Sequence, residues 1–240
     1  LLGTPMRILK EARGHYLVRT PDNYISWVPA SAVTSMDKSN FEKWQAADKI
    51  VYTAEFGHSF SEPSEKSRPV SDLVHGAILE ATGKRGRYFE VVYPDGREAY
   101  VSVADAMPYT DWASRPNPRA DDILAVGQSL MGVPYLWGGT SIKGVDCSGF
   151  TKTCYFLNGI ILPRDASQQA LVGESVDVWT DNTVDLEKCF QNSQAGDLLF
   201  FGRKIDDGST AVSHTGIYMG EGQFIHSSGQ VKINSMVAGT

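Results

Sequence analysis

One stretch of this chain is written twice. Residues 8–33, ILKEARGHYLVRTPDNYISWVPASAV, resemble residues 78–106, ILEATGKRGRYFEVVYPDGREAYVSVADA. Ile8 aligns with Ile78, Tyr16 with Tyr88, the Pro21-Asp22 turn with Pro94-Asp95, and Val28 with Val101. The offset grows from 70 to 73, as small loop insertions in a duplicated all-β unit would produce. A chain built this way must house two similar turn-rich β units before anything else.

Each copy reads as short strands parted by Gly, Pro and Asp turns, which suits a small SH3-like β-barrel. The second copy has extra sequence in front, from about Ile50 through Ala54 and the Ser61-to-Pro69 loop to His75. The first copy lacks that stretch, so N-terminal sequence is expected ahead of Leu1, and any signal peptide or lipid anchor would lie there. The organisation expected is a first, incomplete barrel over residues 1–36, a helical linker over 37–47 and a second barrel over 48–110. A proline-rich connector follows over 111–119, then a further domain over 120–240. In that last part Ala120–Met131 has the pattern of an amphipathic helix opening on Asp121-Asp122, and strands are expected from Asp197 onward. Helices first and antiparallel strands after make this an α+β domain.

The chemistry is concentrated in Asp146-Cys147-Ser148-Gly149-Phe150. Gly138-Gly139 and Gly144 break the chain ahead of it, Asp146 is a good N-cap, and Phe150, Cys154 and Leu157 recur at helical spacing. Cys147 is thereby placed in the first turn of a helix, where the macrodipole favours a thiolate. Downstream, Ser213-His-Thr-Gly-Ile-Tyr-Met-Gly-Glu-Gly-Gln-Phe-Ile-His-Ser-Ser228 reads as two strands around a Gly-Glu-Gly turn. A three-residue loop at 220–222 pairs Met219 with Gln223 and sets His226 opposite Gly216, diagonal to His214. Both rings then share one face, whereas a two-residue loop would separate them. In the first register His214 is a base for Cys147 and His226 its orienter.

Two other readings stand beside this one. A lone Cys is commonly a small buried hydrophobe, and a lone His a satisfied core or surface residue. Cys147, His214 and His226 also form a possible zinc set, but without a close ligand pair such as CxxC or HxxxH. Of the three cysteines, Cys154 is expected to face the core from the Cys147 helix, and Cys189 has no assigned role. A net charge of −6 argues against nucleic acid or an anionic membrane as partner. No apolar run reaches a membrane-spanning length.

The successive segments PYLWGGTSIKGVDCSGF, LPRDASQQ, AGDLLFF and SHTGIYMGEGQFIH resemble the motifs of the NlpC-type cell-wall peptidases, papain-like cysteine enzymes, over roughly residues 120–240. The duplicated segments are similar to bacterial SH3 domains. Together they resemble the γ-D-glutamyl-L-diamino-acid endopeptidases (dipeptidyl-peptidase VI), which cut muropeptides carrying a free N-terminal L-Ala. The resemblance implies a papain-like domain, with helices packed on an antiparallel sheet, preceded by two SH3-like barrels. It makes Cys147 the nucleophile, His214 the base and His226 its orienter. It also implies that the Cys147 N–H and Tyr135 hold the oxyanion.

For the substrate, the resemblance implies roles for Asp146, Ser148 and a barrel tyrosine, here assigned to Tyr24. Ser26 stands where the family usually has Gly. Asp146 carries two readings, helix N-cap and anchor of the L-Ala ammonium. Ser167 or Asp165 would close the pocket, and Arg164 would form a structural ion pair. Packing roles are expected for Trp27, Trp44, Trp112 and Trp137. The implied partners are peptidoglycan fragments, L-Ala-γ-D-Glu-diamino-acid peptides, cleaved by a monomer that needs no metal or organic cofactor. The implied place is the periplasm or cell envelope, or the cytoplasm if the enzyme recycles fragments. An amidase or acyltransferase of the same frame, and a wall-binding protein with a spent catalytic domain, are the alternatives.

Overall fold

The computed structural model describes residues 1–114, 118–181, 183–205 and 210–237. The chain divides between residues 115 and 116 into two compact units.

The first unit contains β1 (Arg7–Ala12), β2 (His15–Arg19), β3 (Ile25–Pro29), α1 (Lys38–Ala46), β4 (Lys49–Tyr52), β5 (Phe56–Phe60), β6 (Pro69–Val74), β7 (Ile78–Arg85), β8 (Tyr88–Val92), β9 (Glu98–Ser102), β10 (Ala106–Pro108) and α2 (Tyr109–Ala113). The helix expected within the 37–47 linker forms as α1, where the Asp37 side chain accepts from the Asn40 N–H and caps it.

The repeat is real and its spacing is constant. β1–β2–β3 and β7–β8–β9 are antiparallel meanders whose paired residues correspond at a fixed offset of 73, Ile8↔Val18 matching Ala81↔Val91 and Tyr16↔Val28 matching Phe89↔Val101. Each carries one β-bulge at the same place, between Ile8 and Lys10 and between Ala81 and Gly83. Ile8 therefore corresponds to Ala81 rather than Ile78, and Tyr16 to Phe89 rather than Tyr88. Matching identical side chains had shifted the alignment, whereas backbone pairing fixes it. The tight turns agree too: Asn23 (φ 62°) occupies the left-handed position that Gly96 (φ 85°) fills in the other copy.

Two SH3-like barrels were expected, the first of them incomplete, and neither sheet closes among the described residues. The first copy is an open three-stranded sheet, and the second is the centre of a seven-stranded one ordered β10-β4-β7-β8-β9-β5-β6. The added strands give the second copy a core of Ile50, Tyr52, Leu73, Leu79, Phe89, Val91 and Val101. In the first copy Ile8, Leu9, Ile25 and Trp27 remain exposed and only Val18 is fully buried. Trp112 is buried as expected, but Trp27 is not, and Trp137 is 86% exposed, so core packing explains neither.

The second unit runs α3 (Ala120–Ser129), β11 (Thr140–Ser141), β12 (Gly144–Val145), α4 (Cys147–Phe156), α5 (Ala166–Gln169), β13 (Trp179–Thr180), β14 (Thr183–Val184), α6 (Leu186–Asn192), β15 (Leu198–Lys204), β16 (Thr210–Gly220), β17 (Gln223–Ser228) and β18 (Gln230–Ser235). The last four form an antiparallel sheet in sequence order. Helices α3 and α4 bury Ile123, Leu124, Phe150 and Cys154 against Ile217, Ile225 and Val231. That cluster fixes α4 against the sheet, and Cys154 faces the core as expected. Among the described residues no helix is long and apolar enough to cross a membrane.

Candidate active site

Cys147 opens α4 because the chain ahead of it is folded back tightly enough to demand glycine. A Cβ on Gly149 would lie 2.0 Å from the Gly139 carbonyl oxygen, and one on Gly139 would lie 2.3 Å from that of Gly144. Asp146 caps the helix by accepting from the Gly149 N–H at 2.7 Å, and its other oxygen accepts from the Gly138 N–H at 2.8 Å. The Cys147 thiol is nearly buried, 8% exposed, against the backbone N–H of Thr215. Burial pushes its pKa up, and the Asp146 charge adds to that; the N–H groups of Thr215, Ser148 and Cys147 itself work the other way.

His214 immediately precedes Thr215 on β16. Its Nε2 lies 2.6 Å from His226 Nδ1, and His226 Nε2 lies 2.8 Å from Asn234 Oδ1 on β18. The pairing Ile217↔Ile225 sets His226 opposite Gly216 and diagonal to His214, the register expected. The turn that delivers it differs. Gly220 pairs with Gln223 across a two-residue Glu221-Gly222 loop, and a bulge between Tyr218 and Gly220 restores the phase. Gly216 is required there, since a Cβ would meet His226 Cβ at 3.0 Å. The imidazoles meet edge to face at 81°, with Phe201 and Phe224 beside them.

This apolar surround sets the electrostatics. Burial, then the charges of His226 and Lys232, lower His214 to about 4. Burial also lowers His226, with the Asn234 bond opposing it and Lys232 assisting. At neutral pH both rings are neutral, so His214 is available to take a proton. The two nitrogens are also too close to share one zinc ion. Ligands at about 2.0 Å in a tetrahedron stand roughly 3.3 Å apart.

Near Cys147 in sequence and in the same unit, Tyr135 is half-buried, with its N–H on the Gly229 carbonyl at 2.9 Å. Burial raises its phenol, followed by the charges of Cys147 and Asp146, with Arg164 opposing. It stays protonated and can donate. Arg164, expected to form a structural pair, clamps Asp146 at 2.6 Å and donates to the Ser148 hydroxyl at 3.0 Å. Burial favours the protonated carboxyl of Asp146, but Arg164 and the N–H groups of Gly149 and Gly138 hold it below the usual carboxylate range. Of its two expected roles, the geometry shows the N-cap.

Ser148 is buried in the same network, Asp165 is half-buried at the start of α5, and Ser167 is exposed on that helix. Tyr24 lies in the other unit, where its carbonyl closes the turn after β2 by accepting from Thr20. Three residues that sequence reasoning missed complete the frame. Gln169, fully buried, joins α5 to α4 by donating to the carbonyls of Ser148 and Pro163 and accepting from Thr151. Ser227 donates to the Val145 carbonyl at 2.9 Å, tying β17 to the hairpin before Cys147. Asn234 is the third, and only its place in the sheet reveals it.

Residues 132–239 match the NlpC/P60 family. The chain is 32% identical over 213 residues to a γ-D-glutamyl-L-lysine dipeptidyl-peptidase of Bacillus cereus, matching 87% of this chain and 58% of that protein. It is 37% identical over 150 residues to the enzyme of that name from Bacillus subtilis, covering 62% of this chain and 44% of the relative. The chain thus spans about half the length of these curated relatives. The crystal structure of an NlpC/P60 family protein from Bacillus cereus superposes with a TM-score of 0.82 at 27% identity, over 100% of this chain and 77% of that one.

Proposed function

With residues 132–239 belonging to the NlpC/P60 family, we propose that this chain is a cysteine peptidase that hydrolyses the γ-D-glutamyl-L-diamino-acid bond of peptidoglycan-derived peptides with a free N-terminal L-Ala. The observation that carries this reading is the hydrogen-bonded line of His214 and His226, with the next residue, Thr215, setting its backbone N–H against the Cys147 thiol at a helix start. His214 takes the Cys147 proton, and the thiolate attacks the γ-carbonyl carbon of D-Glu. The resulting oxyanion is held by the Cys147 N–H and the Tyr135 hydroxyl. Collapse expels the diamino-acid amine, which leaves with the proton from His214, and a thioester remains on Cys147. Water, deprotonated by His214, then releases L-Ala-γ-D-Glu and the free thiol.

The names of the curated relatives support the γ-D-glutamyl specificity. In this reading Asp146 and Arg164 brace the nucleophile's helix, and Ser148, Asp165 and Ser167 line the approach for substrate. The duplicated strands of the first unit act as paired SH3-like modules, with Tyr24 contributing to ligand selection. In this reading the enzyme acts at the cell envelope, or in the cytoplasm if it recycles fragments.

The test is product analysis by mass spectrometry. L-Ala-γ-D-Glu-L-Lys and its meso-diaminopimelate counterpart, each with a free and an acetylated N-terminus, are incubated with the protein. Release of the free diamino acid from the unblocked peptides supports the reading. Intact tripeptides after long incubation, or equal cleavage of the blocked ones, overturn it or its free-amine requirement respectively.

A further inference from the structure

Asn234 stands outside the three residues that carry the proposed chemistry, yet it ends the line that His214 and His226 begin. It sits on β18 opposite Phe224, diagonal to His226, with Lys232 directly opposite His226. Its amide oxygen faces His226 Nε2 at 2.8 Å. An amide oxygen only accepts, so that nitrogen carries the hydrogen. Neutral His226 then has a bare Nδ1, and the 2.6 Å contact forces His214 Nε2 to donate. His214 Nδ1 is left with its lone pair, the form a base for Cys147 needs. Were the amide reversed, its nitrogen would donate to His226 Nε2, His226 would donate to His214, and neutral His214 would hold its hydrogen on Nδ1. That tautomer has no lone pair left for the thiol.

We infer that Asn234 is a positioning residue that sets the tautomers of both histidines and so leaves His214 Nδ1 free to accept the Cys147 proton. It acts only through His226, and it is exposed, so little packing is lost when it is replaced. The inference rests on Cys147 as the nucleophile, but it concerns the resting protein and is read without substrate.

The experiment uses the whole chain with 15N-labelled histidine. Long-range 1H–15N spectra at pH 7.5 assign the tautomers, and iodoacetamide alkylation of Cys147 and tripeptide turnover are followed in parallel. The wild-type protein is expected to hold both His214 and His226 as Nε2–H. Asn234→Leu is expected to give mixed tautomers, with alkylation and kcat falling roughly tenfold and KM little changed. Asn234→Asp, which can still accept, is expected to restore the Nε2–H forms and most of the rate. A wild-type His214 protonated on Nδ1, or an Asn234→Leu protein with unchanged tautomers and rates, overturns the inference. The expected tautomers in a protein that cleaves neither tripeptide would leave Asn234 standing and sink the peptidase reading instead.

Discussion

Arg164 Nη2 lies 2.6 Å from Asp146 Oδ2, and the pair closes over the helix start that presents Cys147. Their side chains are only 14% and 8% exposed, so neither charge has water as an alternative partner. Arg164→Gln is expected to cost about 3 kcal/mol, because a buried carboxylate keeps its charge and loses its counterion. The double variant with Asp146→Asn should cost less than the sum of the two single changes. Urea unfolding with unchanged m-values measures both; additive costs would show that the pair is not coupled.

The acid limb of catalysis should lie far below that of an ordinary imidazole. His214 is lowered to about 4, first by burial and then by His226 and Lys232, so the neutral base persists well into acid. A kcat/KM profile is expected to hold down to about pH 4–5, instead of falling near 6.5. His226→Gln removes one lowering charge and should move the limb upward while reducing the rate. A wild-type limb near 6.5 would mean that His214 is not the buried base.

The thiol should remain protonated where an ordinary one has begun to ionise. Burial raises Cys147, so thiol and neutral imidazole coexist at pH 7 rather than an ion pair. Alkylation of Cys147 is expected to keep climbing in the alkaline range in which a free cysteine levels off. A flat rate from pH 6 upward would indicate a preformed thiolate.

Stability should fall on acidification, and His75 is the clearest source. It is 1% exposed, and burial lowers it from 6.5 to about 4. Between those values the unfolded chain binds a proton that the folded one refuses, so stability present above pH 6.5 is lost as pH falls towards 4. The full effect is roughly 3 kcal/mol for this group. Calorimetry from pH 7.5 to 4.5 should show a falling Tm, with a shallower slope for His75→Leu; equal slopes would contradict the assignment.

A methyl at Gly149 should damage the site through the backbone. Its Cβ would meet the Gly139 carbonyl oxygen at 2.0 Å, so the turn that seats Cys147 must move. Gly149→Ala is expected to cost about 2 kcal/mol and most of the turnover, while exposed Ser167→Ala stays within about 0.5 kcal/mol of the parent. Thermal unfolding and alkylation rates compare them. A Gly149→Ala protein as reactive as its parent would show that the close approach is not needed.

What the sequence made legible was local. Glycines, an Asx cap and apolar spacing were enough to place Cys147 at a helix start, and the helix does begin there. The register of His214 and His226 was also readable, although the bulge beside Met219 that produces it was not, since Gly220 reads equally as part of the turn. Likewise, bulges after Ile8 and Ala81 keep the repeat at a fixed offset, while identical side chains suggested a sliding one. Barrel closure depends on which distant edges pair, and periodicity is silent on that. Asn234 was illegible for a similar reason: an exposed Asn on a strand gains meaning only from its diagonal neighbour.

The most direct test of the account is to catch the acyl-enzyme. The protein is mixed with L-Ala-γ-D-Glu-L-Lys, quenched in acid within the first turnovers and digested for peptide mapping. The expected result is an L-Ala-γ-D-Glu thioester on the peptide containing Cys147, absent from Cys147→Ala, which also fails to release lysine. Lysine release that survives Cys147→Ala, with no acylated Cys147 peptide in the parent, would contradict the account.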